Sequence, residues 1–196
     1  MIKQLIAALS IGTLAIPSGA VQRNWLPEVD VEEKVSVQEV KVEKTWKCLD
    51  CTPEERYVLE QLQKQTKIFD RNALATIMGN IKQESKFIPN ICEGGARVSY
   101  KNCHRGGYGL IQWTTLRRYN GLGAFCNKFN CDPSSLEGQT RYMINEDIFQ
   151  RYLPEFEGHG LTISQYMRPA YRWLGWGIKG YRETYAYDYH KRLTLV

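Results

Sequence analysis

Asp70-Arg71-Asn72-Ala73-Leu74-Ala75-Thr76-Ile77-Met78-Gly79-Asn80-Ile81-Lys82-Gln83-Glu84-Ser85-Lys86-Phe87 is the stretch on which the fold turns. Asp70 is a capping residue, and Leu74, Ile77, Met78 and Ile81 then recur at helical spacing, so an amphipathic helix with a buried stripe is expected. Glu84 follows Ile77 by seven residues and Ile81 by three, which puts it on the same inward face. Burying a carboxylate without a partner is costly. The same environment raises its pKa and keeps it protonated, as a general acid requires. Taken alone, Glu84 is equally consistent with a carboxylate paired to an arginine or exposed at a helix end.

Working outward, helical segments dominate. Thr52-Pro53-Glu54-Glu55 reads as a helix start, with a capping hydroxyl, proline in the first turn and acids facing the positive end of the dipole. Tyr57, Val58, Leu62 and Gln65 carry that helix to about Lys67. From Pro89 to Gly109 the chain is too irregular and glycine-rich for a helix, and a small hairpin or loop sheet is expected. Asp132-Pro133 opens a further helix with Leu136, Tyr142, Met143, Ile144 and Ile148 as candidate buried positions. Tyr166, Trp173 and Leu174 precede a glycine-rich turn, and Tyr185, Tyr189 and Leu193 mark a final helix. There is no internal repeat. The fold expected is mainly α, a helical domain with a small β or loop lobe.

Composition and the first residues bound the setting. The 196 residues suffice for one domain with a substantial core plus an appendage, and 43% hydrophobic with 24% charged residues argues against wholesale disorder. Lys3 precedes an apolar run from Leu5 to Ile16, followed by Pro17-Ser18-Gly19-Ala20, so residues 1–20 read as a signal peptide cleaved after Ala20, or as an uncleaved signal anchor. Residues 21–50 read as a charged linker or arm and residues 51–196 as the folded domain. Residues 21–47 hold five basic and six acidic side chains, whereas the chain from Cys48 onward holds 20 basic and 15 acidic, so the domain carries the net charge of +5. That modest charge suits an anionic polymer such as a cell wall. No Lys/Arg run of the nucleic-acid-binding kind is present, so nucleic acid is not expected as a partner. Membrane contact is expected only through the N-terminal segment.

Six cysteines fall into three close pairs, Cys48/Cys51, Cys92/Cys103 and Cys126/Cys131, which in an exported chain reads as a disulfide framework. Six cysteines allow fifteen pairings, so spacing alone does not fix the connectivity. A zinc site at Cys48-Leu49-Asp50-Cys51 lacks a second CxxC or a spaced histidine pair to complete it. His104, His159 and His190 follow no ligand pattern. Neither metal nor cofactor is expected.

The string Ala75 to Phe87 resembles the catalytic helix of phage tail lysozymes, members of the wider lysozyme and lytic transglycosylase superfamily. A second stretch, Gly107-Tyr108-Gly109-Leu110-Ile111-Gln112-Trp113-Thr114 with Arg117-Arg118, resembles that family's Gly-x-Gly-Leu-x-Gln-Trp motif. Weaker likenesses are Leu136-Glu137-Gly138-Gln139 with Tyr142-Met143, and Tyr181-Arg182-Glu183-Thr184-Tyr185-Ala186. The likeness spans roughly residues 54–192. It implies a lysozyme-like α+β fold whose small lobe flanks a sugar cleft, and a secreted, periplasmic or envelope enzyme, or a virion-borne one, that cuts peptidoglycan. Glu84 would then be the general acid. Glu93, nine residues later, resembles the second carboxylate of some phage lysozymes, and an exposed loop acid is the alternative. As base for an inverting attack it would stand roughly 6.5–9.5 Å from Glu84.

Gln112, Gly109, Ser85 and Ser99 are further substrate-side candidates. Tyr108 is the expected sugar-stacking ring, with Trp113 assigned to the core. Each has a plainer alternative, since glycines serve any tight turn and Gln112 could cap a helix. A lytic transglycosylase needing only Glu84, and a non-catalytic glycan-binding or virion structural module, remain open alternatives.

Overall fold

The computed structural model describes residues 44–196. The expected signal segment and residues 21–43 of the expected linker lie outside the described residues. Among the described residues there are seven helices: α1 (Pro53–Gln65), α2 (Arg71–Ser85), α3 (Leu116–Phe129), α4 (Leu136–Asn145), α5 (Asp147–Phe156), α6 (Ile163–Leu174) and α7 (Arg182–Arg192). Two short strands, β1 (Trp46–Lys47) and β2 (Thr194–Leu195), pair antiparallel with Trp46 opposite Leu195. The mainly helical expectation holds.

Local chemistry explains the helix starts. Thr52 and Glu55 form a reciprocal capping box with Pro53 in the first turn of α1. Asp70 accepts hydrogen bonds from the amides of Asn72 and Ala73 at the start of α2. The stripe Leu74, Ile77, Met78 and Ile81 is fully buried, but so are Ala73, Ala75, Thr76 and Asn80, so α2 is enclosed on nearly every side. It runs through the centre of the domain, and its most extensive partner is α7. Gly79 permits this contact: a Cβ there would lie 2.5 Å from Ala186 N and 2.7 Å from Arg182 O.

Three expectations are corrected. The last residues assigned to the linker belong to the domain. Trp46 pairs with the C-terminal strand, its amide donates to Gln63 Oε1 (2.7 Å), its indole N–H donates to Phe69 O (2.7 Å), and Cys48 is buried. An apolar ring and a buried disulfide anchor what charge alone marked as solvated. The helix expected from Asp132 begins at Leu136, capped by Ser135, because Asp132 closes the preceding turn by accepting from Ser134 N. That helix also stops at Asn145, and Ile148 sits in the separate α5. Helix α3 was not foreseen, since only Leu122 and Cys126 on it are fully buried and the stripe is too sparse to read.

The irregular lobe contains isolated bridges, Ile91 with Arg97, Cys92 with Tyr108, and Tyr108 with Trp113, plus a 3-10 turn at Tyr100–Asn102. All three cysteine pairs are disulfides: Cys48–Cys51, Cys92–Cys103 and Cys126–Cys131. Cys48, Asp50 and Cys51 cluster closely enough to suggest a cation site. Two of the three are joined as a disulfide, so the thiolates zinc would need are absent.

Candidate active site

Glu84 occupies the last turn of α2, where the buried helix meets the loop lobe. The helix ends at once: Lys86 and Phe87 both take left-handed backbone angles (φ 52° and 64°), and Phe87 is buried against Tyr189. Such a double departure from helix by non-glycine residues is uncommon and costs strain. It turns the chain sharply, leaving Glu84 and Ser85 at the helix rim.

The Glu84 side chain is 15% exposed and forms an ion pair with Arg182 of α7. The guanidinium is itself buried. Its Nη1 donates to the carbonyls of Ile178 and Lys179 (both 2.9 Å), and its plane lies 4.6 Å over the Trp176 ring. Arg182 is therefore held in place before it meets Glu84. Burial lifts the Glu84 carboxyl above its ordinary pKa, against the opposing pull of Arg182 and, further off, of Arg118. The result is a desolvated acid that keeps its proton to higher pH, beside a fixed cation able to stabilise the carboxylate left after donation. Both alternatives weighed for Glu84 meet here, since it is inward-facing and arginine-paired.

The glycine-rich loop at residues 107–113 is clamped from two sides. Ser85 Oγ donates to Leu110 O (2.7 Å), and the buried Gln139 of α4 accepts from Leu110 N (2.7 Å) while donating to Pro89 O (2.6 Å) and Pro133 O (2.8 Å). Gly109 has φ +72°, and a Cβ there would sit 2.3 Å from Gln139 Oε1, so glycine is required by conformation and by space. Gln112, half-buried and with φ 51°, donates through its amide to Gly109 O (3.0 Å) and Ile91 O (3.4 Å). Glu93 is exposed in the same lobe, and one of its carboxylate oxygens accepts from Gly107 N (3.0 Å). The Cys92–Cys103 disulfide fastens the residue next to it.

Two expected substrate contacts are corrected. Tyr108 is fully buried, with its ring centroid 5.8 Å from Tyr100 and 6.0 Å from Tyr119 and its hydroxyl donating to Val98 O (3.2 Å). A ring without exposed face cannot stack on a sugar. Ser85 is 3% exposed and spends its hydroxyl on Leu110, so it fixes the loop relative to Glu84 instead of touching a ligand. Trp113 is core, as expected. Ser99 is exposed at the start of the Tyr100–Asn102 turn.

Arg182, Gln139 and Arg118 carry roles that sequence reasoning did not assign. Arg118 forks onto the buried Glu146 (2.6 and 2.7 Å) and lines a cavity of about 660 Å³ with Phe125, Tyr142 and Arg151. Glu84 does not line that cavity, and Arg118 is the link between the two through its charge. The stretches holding Arg182 and Gln139 had been singled out, but a contact spanning 98 residues leaves no local periodicity to announce it.

Comparison with known proteins follows the same residues. The family model for phage tail lysozyme matches residues 54–159, a span holding Glu84, Glu93, the 107–113 loop and Gln139, whereas Arg182 lies beyond it. No curated protein and no solved structure matches the chain.

Proposed function

From the premise that the chain belongs to the phage tail lysozyme family, we propose that it is a muramidase cleaving the bond between N-acetylmuramic acid and N-acetylglucosamine in peptidoglycan. Membership makes it a lysozyme-like glycosidase with peptidoglycan as the substrate class. The single observation that supports the finer reading is Glu84: a carboxyl desolvated at the end of a buried helix, raised in pKa, and backed by a locked arginine.

Glu84 donates its proton to the glycosidic oxygen as the bond breaks. The carboxylate so formed is stabilised by Arg182, whose position costs no reorganisation at that moment. Glu93 is the proposed second carboxylate, activating water against the cationic sugar. Its anchorage on Gly107 N, within the lobe fixed by Ser85 and Gln139, supports a defined position for it. The same hydrogen bond occupies one of its oxygens, which favours a second reading, a lytic transglycosylase in which the muramoyl 6-hydroxyl attacks and Glu84 acts alone. Export to the periplasm or envelope, in the service of wall lysis by a phage, fits three disulfides in a chain of this size.

Glu84→Gln keeps the shape and removes the proton, so wall lysis measured by zymography should fall by orders of magnitude with circular dichroism unchanged. Retained lysis would exclude Glu84 as the acid. Mass spectrometry of the digest decides the reaction type. Reducing-end muramic acid, with a large rate loss in Glu93→Gln, is expected for hydrolysis, and anhydro-muropeptides would move the enzyme to the transglycosylases.

A further inference from the structure

Beyond the span matched by the family model, the last turn of α6 and the connection to α7 carry large apolar side chains in the open. Tyr171 is 53% exposed, Ile178 82% and Tyr181 67%. Isolated exposed apolar residues are ordinary, but a cluster bordering a reactive group points to a ligand. These residues connect to Glu84 by an unbroken series of contacts. The Tyr171 ring meets Trp176 edge-on at 5.3 Å, Trp176 lies under the Arg182 guanidinium, and Arg182 pairs with Glu84. A second tie is independent of the first: Tyr181 N–H donates to Gln83 Oε1 (2.9 Å), one residue from Glu84. The carbonyls of Ile178 and Lys179, bound to Arg182, hold the connection in register between these two ties.

We infer that the exposed rings of Tyr171 and Tyr181, on either side of the half-buried Trp176, form a stacking platform for the sugar rings of the glycan strand, continuous with the site of Glu84. Pyranose rings present a face of C–H bonds rimmed by hydroxyls. Tyr and Trp match this with a flat apolar body and a polar edge. Tyr171 and Tyr181 are exposed, whereas Trp176 is half-buried against the core and fixes the base on which they stand. Because Trp176 and Arg182 join the platform to Glu84, a sugar seated on Tyr171 is registered against the acid through these two packed side chains.

The inference rests on the glycosidase reading for its ligand, and its test separates the two. Tyr171→Ala and Tyr181→Ala are made in the full chain carrying Glu84→Gln, and binding is measured by co-sedimentation with purified peptidoglycan sacculi. Tyr187→Ala serves as control, an exposed tyrosine beside His190 in a different pocket. Each platform variant should weaken binding about two- to tenfold, as expected for loss of one stacked ring, with the control unchanged. Binding equal to the parent in both variants would overturn the platform, as would failure of the parent to sediment with sacculi. Self-association of the parent abolished by these variants in size-exclusion chromatography would overturn it too, making the face a contact between copies. If the chain with Glu84 intact lyses no wall while the platform variants still lose binding, the platform stands and the glycosidase reading falls.

Discussion

Replacing Gly79 with alanine tests the packing that brings Arg182 to Glu84. In an exposed helix interior the change would stabilise by ~1 kcal/mol through helix propensity. Here the new Cβ would stand 2.5 Å from Ala186 N, 2.7 Å from Arg182 O and 2.8 Å from Ala186 Cα, where ordinary contact begins at 3.4 Å. All three are backbone atoms of α7, so no side chain can swing away, and the helices must part by about 0.9 Å. Overpacking of this kind costs typically 1–3 kcal/mol, and rigid backbone on both sides argues for the upper half. The net expectation is destabilisation by about 1–2 kcal/mol, a fall in Tm of roughly 2–8 °C for a domain of this size. Arg182 leads α7 at the same contact, so the ion pair with Glu84 loosens too. A displacement near 1 Å at a catalytic group costs on the order of ten- to a hundredfold in rate. Thermal melts by circular dichroism and turbidity clearing of cell walls provide the two readouts. A Tm that rises, with activity intact, would show that α2 and α7 are not in this close contact.

Two further substitutions probe charge. Arg182→Gln removes one of the groups holding the Glu84 pKa down while burial, which holds it up, persists. Glu84 should then stay protonated to higher pH, and the alkaline limb of the pH–rate profile should move upward; an unmoved or lowered limb would separate Arg182 from the acid. Tyr189→Phe acts on the opposite case. Burial pushes the Glu55 carboxyl up, but the Tyr189 hydroxyl, the Thr52 amide, Lys82 and Arg192 together hold it below its ordinary value. A depressed carboxylate adds stability above its unfolded pKa and loses it as pH falls through the folded pKa. Losing the Tyr189 bond should therefore cost about 1–3 kcal/mol at neutral pH, shrinking towards acid, and an equal loss in Tm at both pH values would contradict the assignment.

Much of the domain was legible in the chain itself. The caps at Thr52 and Asp70, the buried stripe of α2 and the inward face of Glu84 are set by neighbours within a few residues, where helix geometry alone fixes which side chains meet. The short-range cysteine pairs follow for the same reason, their partners being close in sequence. What the sequence by itself could not decide is which distant surfaces press together. Tyr108 had the composition of a stacking ring, yet Tyr100 and Tyr119 close over it. Ser85 and Gln139 read as motif letters, and only the fold shows them gripping opposite sides of Leu110. Arg182 lies 98 residues from Glu84, and no spacing rule links them. Burial raises the acid's pKa and a neighbouring charge tempers it, and both depend on packing across the chain. Periodicity selected the carboxyl group, and tertiary contact set its chemistry.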